Sequence, residues 1–208
     1  VLGSFSETDR TNMANEWVNT IWPDIANVFQ LSSSLRDVDD NCQIQIVLTT
    51  MDGGGGLGGY FWGYWEVNAP LDDRREAVFV DIADAKMPDG FGNFILSHEL
   101  QHFLLHQEDS DEVAWLNEGL ADQAGWLSYK NQSTFVSDHF NHWMDHPEYG
   151  PLAWLPGRTD DQGSPTYSDY GFAAAMNRFL WDTFGDSITT SLFQSSSNGI
   201  ASVAAVVA

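Results

Sequence analysis

Apolar positions along this chain follow two different periods, and the change between them lays out the fold. Over residues 8–30, Ala14, Trp17, Val18, Ile21, Ile25, Val28 and Phe29 recur at helical spacing. Pro23 falls inside that run, and without an N–H it should kink or split the helix. Residues 43–50 alternate instead, with Ile44, Ile46 and Leu48 set against Gln43, Gln45 and Val47, which predicts a strand. Residues 77–83, Ala-Val-Phe-Val-Asp-Ile-Ala, predict another. Between the two lie Asp52, the glycines Gly53 to Gly56, Gly58 and Gly59, and then Tyr60, Phe61, Trp62, Tyr64 and Trp65. The glycines read as a flexible hairpin connection. The aromatic run suits a strand bordering a cleft, with open backbone for pairing with a peptide.

From Pro88, Asp89 and Gly90, which mark a turn, helical spacing prevails. One helix should begin near residues 91–93, with Leu96, Leu100, Phe103 and Leu104 on one face. A second ends around residues 125–129 and a third covers 134–146. A fourth covers 171–184, with Tyr167 and Tyr170 just before it and Phe172, Ala175, Met176, Phe179 and Leu180 on its buried face. Short helical pieces follow at 188–193 and 200–207, and the glycines and prolines of 147–165 make that stretch a loop. The pattern is α+β: an N-terminal mixed sheet with its helices, then a mainly helical half, with a cleft between. Residues 1–107 and 108–208 are expected to be two subdomains of one domain.

Composition narrows the classes. The 208 residues carry 30 acidic against 8 basic side chains, a net charge of −22, which argues against nucleic acid as a partner. Such an excess fits a very soluble or secreted protein. A secreted or cell-surface location is the expectation, with no signal-peptide pattern at the start, as in a mature chain. The apolar end at Ala201 to Ala208 reads as the edge of a longer protein. No apolar run approaches a membrane span. Cys42 is the only cysteine, so neither an internal disulfide nor a cysteine-rich zinc site can form, and it reads as a small residue before a strand.

The chemistry centres on His98-Glu99-Leu100-Gln101-His102, an H-E-x-x-H pattern. On a helix, residues four apart lie about 40° apart around the axis, so both imidazoles can share one metal. Glu99 falls on the same side and can hold a metal-bound water without being a ligand. The extended pattern with a glycine three residues and a histidine six residues beyond the second histidine is absent, since Leu105 and Glu108 stand there. Glu108 is a possible third ligand of poor geometry, and His106 lies one turn too far along. Glu118, in Trp115-Leu116-Asn117-Glu118-Gly119-Leu120-Ala121-Asp122, is the better one, because a reversal can bring its helix back against the first. Asp122, one turn on, could accept a hydrogen bond from the far nitrogen of a ligand imidazole. His139, His142 and His146 share a face and could form a second metal site or lend a donor, but a partly exposed polar face is expected. Asp37, Asp39 and Asp40 could bind calcium. The full calcium-loop pattern is missing, so a solvated loop is expected, with calcium left open as a further cation.

His98-Glu-x-x-His102 with Asn117-Glu118-x-x-x-Asp122 resembles the gluzincins, the thermolysin and aminopeptidase N type of zinc metallopeptidase. The phrase Trp-Leu-Asn-Glu-Gly-Leu-Ala is especially similar to those aminopeptidases, although the interval from His102 to Glu118 is shorter than theirs. The chain resembles most the hyicolysin-type neutral metallopeptidases. The shared features are Gly59-Tyr60-Phe61-Trp62, a strand like residues 77–82, Ser97-His98-Glu99-x-Gln101-His102 and a helix opened by Tyr170-Gly171-Phe172. The resemblance covers roughly residues 43–185. It implies a zincin-like fold and a zinc-dependent metalloendopeptidase acting on peptide or protein substrates. Zinc would be held by His98, His102 and Glu118, with Glu99 as general base and Tyr170, or else Tyr167, steadying the oxyanion. The alternatives are a zincin-fold binding domain of little or no activity, and a hydrolase of non-peptide amides. A monomer is expected.

Overall fold

The computed structural model describes residues 6–51, 57–83, 90–129, 134–148 and 167–208. Asp52, the glycines Gly53 to Gly56, the turn at Pro88 and Asp89, and the expected loop from residue 149 onward lie outside these.

Ser6 opens the first helix. Its hydroxyl accepts from Asp9 N–H at 3.1 Å while Asp9 accepts from Ser6 N–H at 2.9 Å, a reciprocal cap. Helix α1 (Glu7–Glu16) runs into one wide π turn at Trp17–Ile21 before α2 (Trp22–Val28) resumes. Trp22 N–H reaches back five residues to the Trp17 carbonyl. The split expected at Pro23 is therefore present: the ring has no N–H to offer Asn19, and the helix widens just before it. Ile21, Ile25, Val28 and Phe29 are the buried residues of this segment.

Three strands follow: β1 (Gln45–Thr49), β2 (Gly59–Phe61) and β3 (Ala77–Asp81). They lie in the order β1-β3-β2. β1 runs parallel to β3 with Gln45 opposite Ala77, and β2 runs antiparallel with Phe61 opposite Val78. The sheet is thus small and mixed. Its order corrects the reading of the glycine-rich stretch, which is not a hairpin: β1 and β2 do not pair, because β3 lies between them. The aromatic run is also not one strand. It leaves β2 after Phe61 and turns into α3 (Tyr64–Val67) and a 3₁₀ turn at Leu71–Asp73. The Trp62 ring stacks on Tyr64 at 4.7 Å and meets Trp65 edge-on at 6.1 Å, contacts among near neighbours that a helical turn permits. Tyr60 stays in the sheet, stacked on Phe79 at 4.5 Å.

The rest is helical: α4 (Gly90–Glu108), α5 (Ala114–Ser128), α6 (Thr134–Asp145), α7 (Tyr167–Phe184), α8 (Asp186–Phe193) and α9 (Ile200–Val207). Helix α4 packs on β2 and β3 on one side and on α5 on the other. It is therefore buried all round, with Leu96, Leu100, Phe103 and Leu104 at 0–1 % exposure and Ser97, His98, Glu99 and Gln101 also enclosed. Helix α7 begins four residues earlier than its apolar pattern suggests, so Tyr167 and Tyr170 sit in its first turn. Its buried face agrees with the expectation at Leu180, and Phe172 and Met176 pack half-buried against the core, but it differs at Phe179. Phe179 is 62 % exposed, and Gly171, Ala173, Ala174, Asn177 and Leu180 face inward. The reason is close packing against both α5 and α6, which selects small side chains. A methyl group on Gly119 would lie 2.7 Å from the Ala173 carbonyl oxygen and overlap the Asn177 amide.

One apolar cluster joins Ile21, Phe29, Val80, Leu100, Leu120 and Phe193, so the core is shared across residue 107. Among the described residues, no helix is long and apolar enough to cross a membrane.

Candidate metal centre

Helix α4 presents His98 and His102 one turn apart on the side facing α5, and α5 answers with Glu118. Nε2 of His98 lies 3.1 Å from Nε2 of His102, and each stands 3.2–3.3 Å from the same oxygen of Glu118. The interval from His102 to Glu118 is bridged by a short connection, residues 109–113, that reverses the chain between the two helices.

What the facing nitrogens carry follows from the other side of each ring. His98 Nδ1 lies 3.1 Å from Asp122 Oδ1, and His102 Nδ1 lies 2.7 Å from Asn117 Oδ1. A carboxylate and an amide oxygen only accept, so both Nδ1 atoms donate and carry hydrogen. Neutral rings in that tautomer turn bare lone pairs at Nε2 towards one another and towards a carboxylate. Three lone pairs meeting there are repulsive unless a proton or a metal cation sits among them. The spacing fits the donor set: tetrahedral zinc with bonds of about 2.0–2.1 Å holds its ligand atoms about 3.3–3.4 Å apart. The imidazole and carboxylate donors are of the kind zinc takes in catalytic sites, with a fourth position open.

The charges around the site are strongly coupled. Burial alone would favour a protonated Glu118, but the His102 and His98 rings outweigh it and hold its carboxyl far below the ordinary range. Burial works against charge on His98, yet hydrogen bonds to Asp122 and Glu118 prevail and raise its basicity well above normal. Glu99 goes the other way. Burial pushes its carboxyl up, opposed by the two histidines and by Phe61 N–H, which donates to it from β2. Gly59 lets β2 come this close, because a methyl group there would lie 3.0 Å from Glu99 Cγ.

The remaining candidates fall into place around this triad. Burial, followed by the charges of Glu118, Asp122 and Glu99, holds the Tyr170 hydroxyl protonated far above its ordinary range, so Tyr170 lies within the field of the site. The Tyr167 ring stacks on His139 at 5.2 Å and meets His142 at 5.4 Å. Glu108 turns away: it accepts from Ser32 N–H at 2.8 Å. His106 faces Glu66 at 3.7 Å and lines, with Phe61, His102 and Glu118, a cavity of about 200 Å³ beside the triad.

The histidines of α6 and its end do not converge. His139, expected on a partly exposed face, is 2 % exposed and sits 3.3 Å from Asp122 Oδ2. His146 instead pairs with Glu148 at 3.3 Å, and His142 is exposed. Asp122 thus bridges His98 and His139 with its two oxygens. Asn117 is the functional side chain that the sequence reading left without a role. The available signal was that the second imidazole also needs an acceptor at Nδ1, and Asn117 directly precedes Glu118. No protein-family model matches the chain, and no curated protein matches it.

Proposed function

We propose that this chain is a zinc-dependent metallopeptidase of the gluzincin type, cleaving internal peptide bonds of extracellular or cell-surface substrates. The observation that carries the reading is the convergence of His98 Nε2, His102 Nε2 and one Glu118 oxygen, with both Nδ1 positions already hydrogen-bonded.

A bound zinc supplies Lewis acidity towards a carbonyl and acidifies water. Asp122 and Asn117 fix the ligand tautomers and orient the rings. Glu99 is the general base: it takes a proton from water and returns it to the leaving amine. Its raised proton affinity suits a group that must accept and then release a proton near neutrality. Tyr170, protonated throughout the working range, donates to the oxyanion. Among the described residues strand β2 is at the sheet edge beside Glu99, and an extended peptide adding there as a further strand fits endopeptidase action.

The test is elemental analysis followed by cleavage assays of wild type and Glu99→Gln on a varied peptide library. Zinc at one per chain in both, with cleavage lowered by about 10²–10⁴-fold in Glu99→Gln, supports the proposal. Zinc without cleavage of any peptide leaves a binding domain or a hydrolase of other amides. No zinc removes the site itself.

A further inference from the structure

A second group of oxygen donors stands apart from the zinc ligands. Asp37, Asp39 and Glu76 bring one carboxylate oxygen each within 4.8 Å of one another. That spread matches ligands on opposite sides of an ion bound at about 2.3–2.6 Å. Glu76 is 3 % exposed, and its Oε2 has no hydrogen-bond partner; Oδ1 of Asp39 is enclosed and equally without one. None of the three carboxylates forms an ion pair with a lysine or arginine among the described residues. Two buried, unpaired carboxylate oxygens of like charge are costly to hold together without a cation.

The chain around them has the order of a calcium loop. Asp37 and Asp39 occupy its first and third places, and Gln43 stands at the seventh, where such a loop offers a main-chain carbonyl; Asn41, at the fifth, braces the loop instead, its amide donating to Asp39 Oδ2 at 2.7 Å and its oxygen accepting from Gln43 N–H at 2.7 Å. Cys42, at the sixth place, has φ +57°, the left-handed conformation that glycine supplies there. Asp37 accepts from Asn41 N–H at 3.1 Å and Cys42 N–H at 2.9 Å, which folds the loop around its first ligand. The twelfth place, where a glutamate closes the loop in sequence, is Leu48, inside β1. Glu76 arrives from the residue before β3 and takes that part instead, its other oxygen accepting from Val38 N–H.

We propose that Asp37, Asp39 and Glu76 form a calcium site that fastens the loop before β1 to the start of β3. All the donors are oxygen, several are charged, and the loop is irregular, which selects calcium over zinc. The same loop grips the end of α4: Ser32 N–H and Arg36 N–H donate to Glu108 and Gln107 at 2.8 and 2.7 Å. Calcium therefore steadies the frame behind the zinc ligands without touching them.

The test uses protein stripped of metal, reloaded with one zinc, and titrated with calcium by calorimetry. Terbium luminescence excited through tryptophan gives a second readout, because Trp17 and Trp22 line the same cavity as Asp37 and Glu76. One further calcium per chain is expected, with a rise in Tm. Glu76→Gln and Asp39→Asn should each weaken it at least about tenfold while zinc content stays unchanged. Should Glu76→Gln fail to fold, the half-exposed Asp39→Asn carries the comparison. No calcium uptake up to about 10 mM, beyond the range of the weakest extracellular modules, overturns the proposal. So does unaltered affinity in both variants.

Discussion

Asp122 holds His98 Nδ1 at 3.1 Å from one carboxylate oxygen and His139 Nδ1 at 3.3 Å from the other. A single buried carboxylate therefore ties α4, which carries two of the candidate metal ligands, to α6. Asp122→Ala should weaken zinc binding by about 10–100-fold, because the ring loses the acceptor that fixes its tautomer. Competition with a chromophoric chelator measures this. An affinity equal to wild type would show that packing alone orients His98.

The two tyrosines at the start of α7 should separate cleanly in kinetics. Tyr170 lies in the field of Glu118 and Glu99, whereas Tyr167 packs on His139 and His142. On the proposed reaction, Tyr170→Phe should lower kcat by about 10²–10³-fold with little change in KM, the mark of a donor used in the transition state. Tyr167→Phe should stay close to wild type. The reverse ranking would move the oxyanion donor to Tyr167.

Glu66 makes a pH prediction away from the metal. It is 1 % exposed, and burial raises its carboxyl above the ordinary range, only partly offset by Gln107, which donates at 3.0 Å. The folded state thus holds this proton more tightly than the unfolded one. Stability falls as pH rises from the unfolded glutamate value through the raised folded one, and the loss persists at neutral pH. Glu66→Gln keeps the acceptor for Gln107 and removes the buried charge. It should raise stability at pH 7 by about 1 kcal/mol and flatten the slope just above pH 4.5. Urea unfolding at pH 4.5 and pH 7 reads both effects.

Gly119 adjoins the candidate ligand Glu118 on α5. It lies where α5 meets α7, with Ala173 and Asn177 filling the volume a side chain would take. Gly119→Ala must push the helices apart and should cost about 1–3 kcal/mol in stability. Because Glu118 is its neighbour, zinc affinity should fall in the same variant. A Tm drop with unchanged zinc affinity would mean that α5 shifts as a rigid body with its ligand.

Local pattern made much of this legible. His98, Glu99 and His102 were set by spacing on one helix, and Glu118 with Asp122 by a second helix one reversal away. Periods of two and 3.6 placed β1, β3 and most helices. What escaped depends on partners distant in sequence. The interposition of β3 between β1 and β2 is a matter of topology, not of any residue's preference. The buried side of α7 is chosen by how closely α5 and α6 approach, so Phe179 points to solvent while glycine and alanine face in. His139 looked like surface because its partner, Asp122, is on another helix. Glu76 sits far from the Asp37 loop in the chain and meets it only after the parallel pair forms.

The sheet order also bears on how the molecule comes together. Since β3 separates β1 from β2, neither earlier strand has its neighbour until Ala77–Asp81 emerges, and α4 follows almost at once. The proposed zinc ligands, by contrast, lie within one helical hairpin. The frame closes far later in sequence: Thr190 donates to the Val28 carbonyl at 2.7 Å and Gln194 to the Gln30 carbonyl at 2.6 Å, joining the two ends of the chain. Contacts close in sequence form before distant ones. The α4–α5 hairpin that carries the candidate ligands is accordingly the local part of the fold, and the seal of α2 against α8 its long-range part.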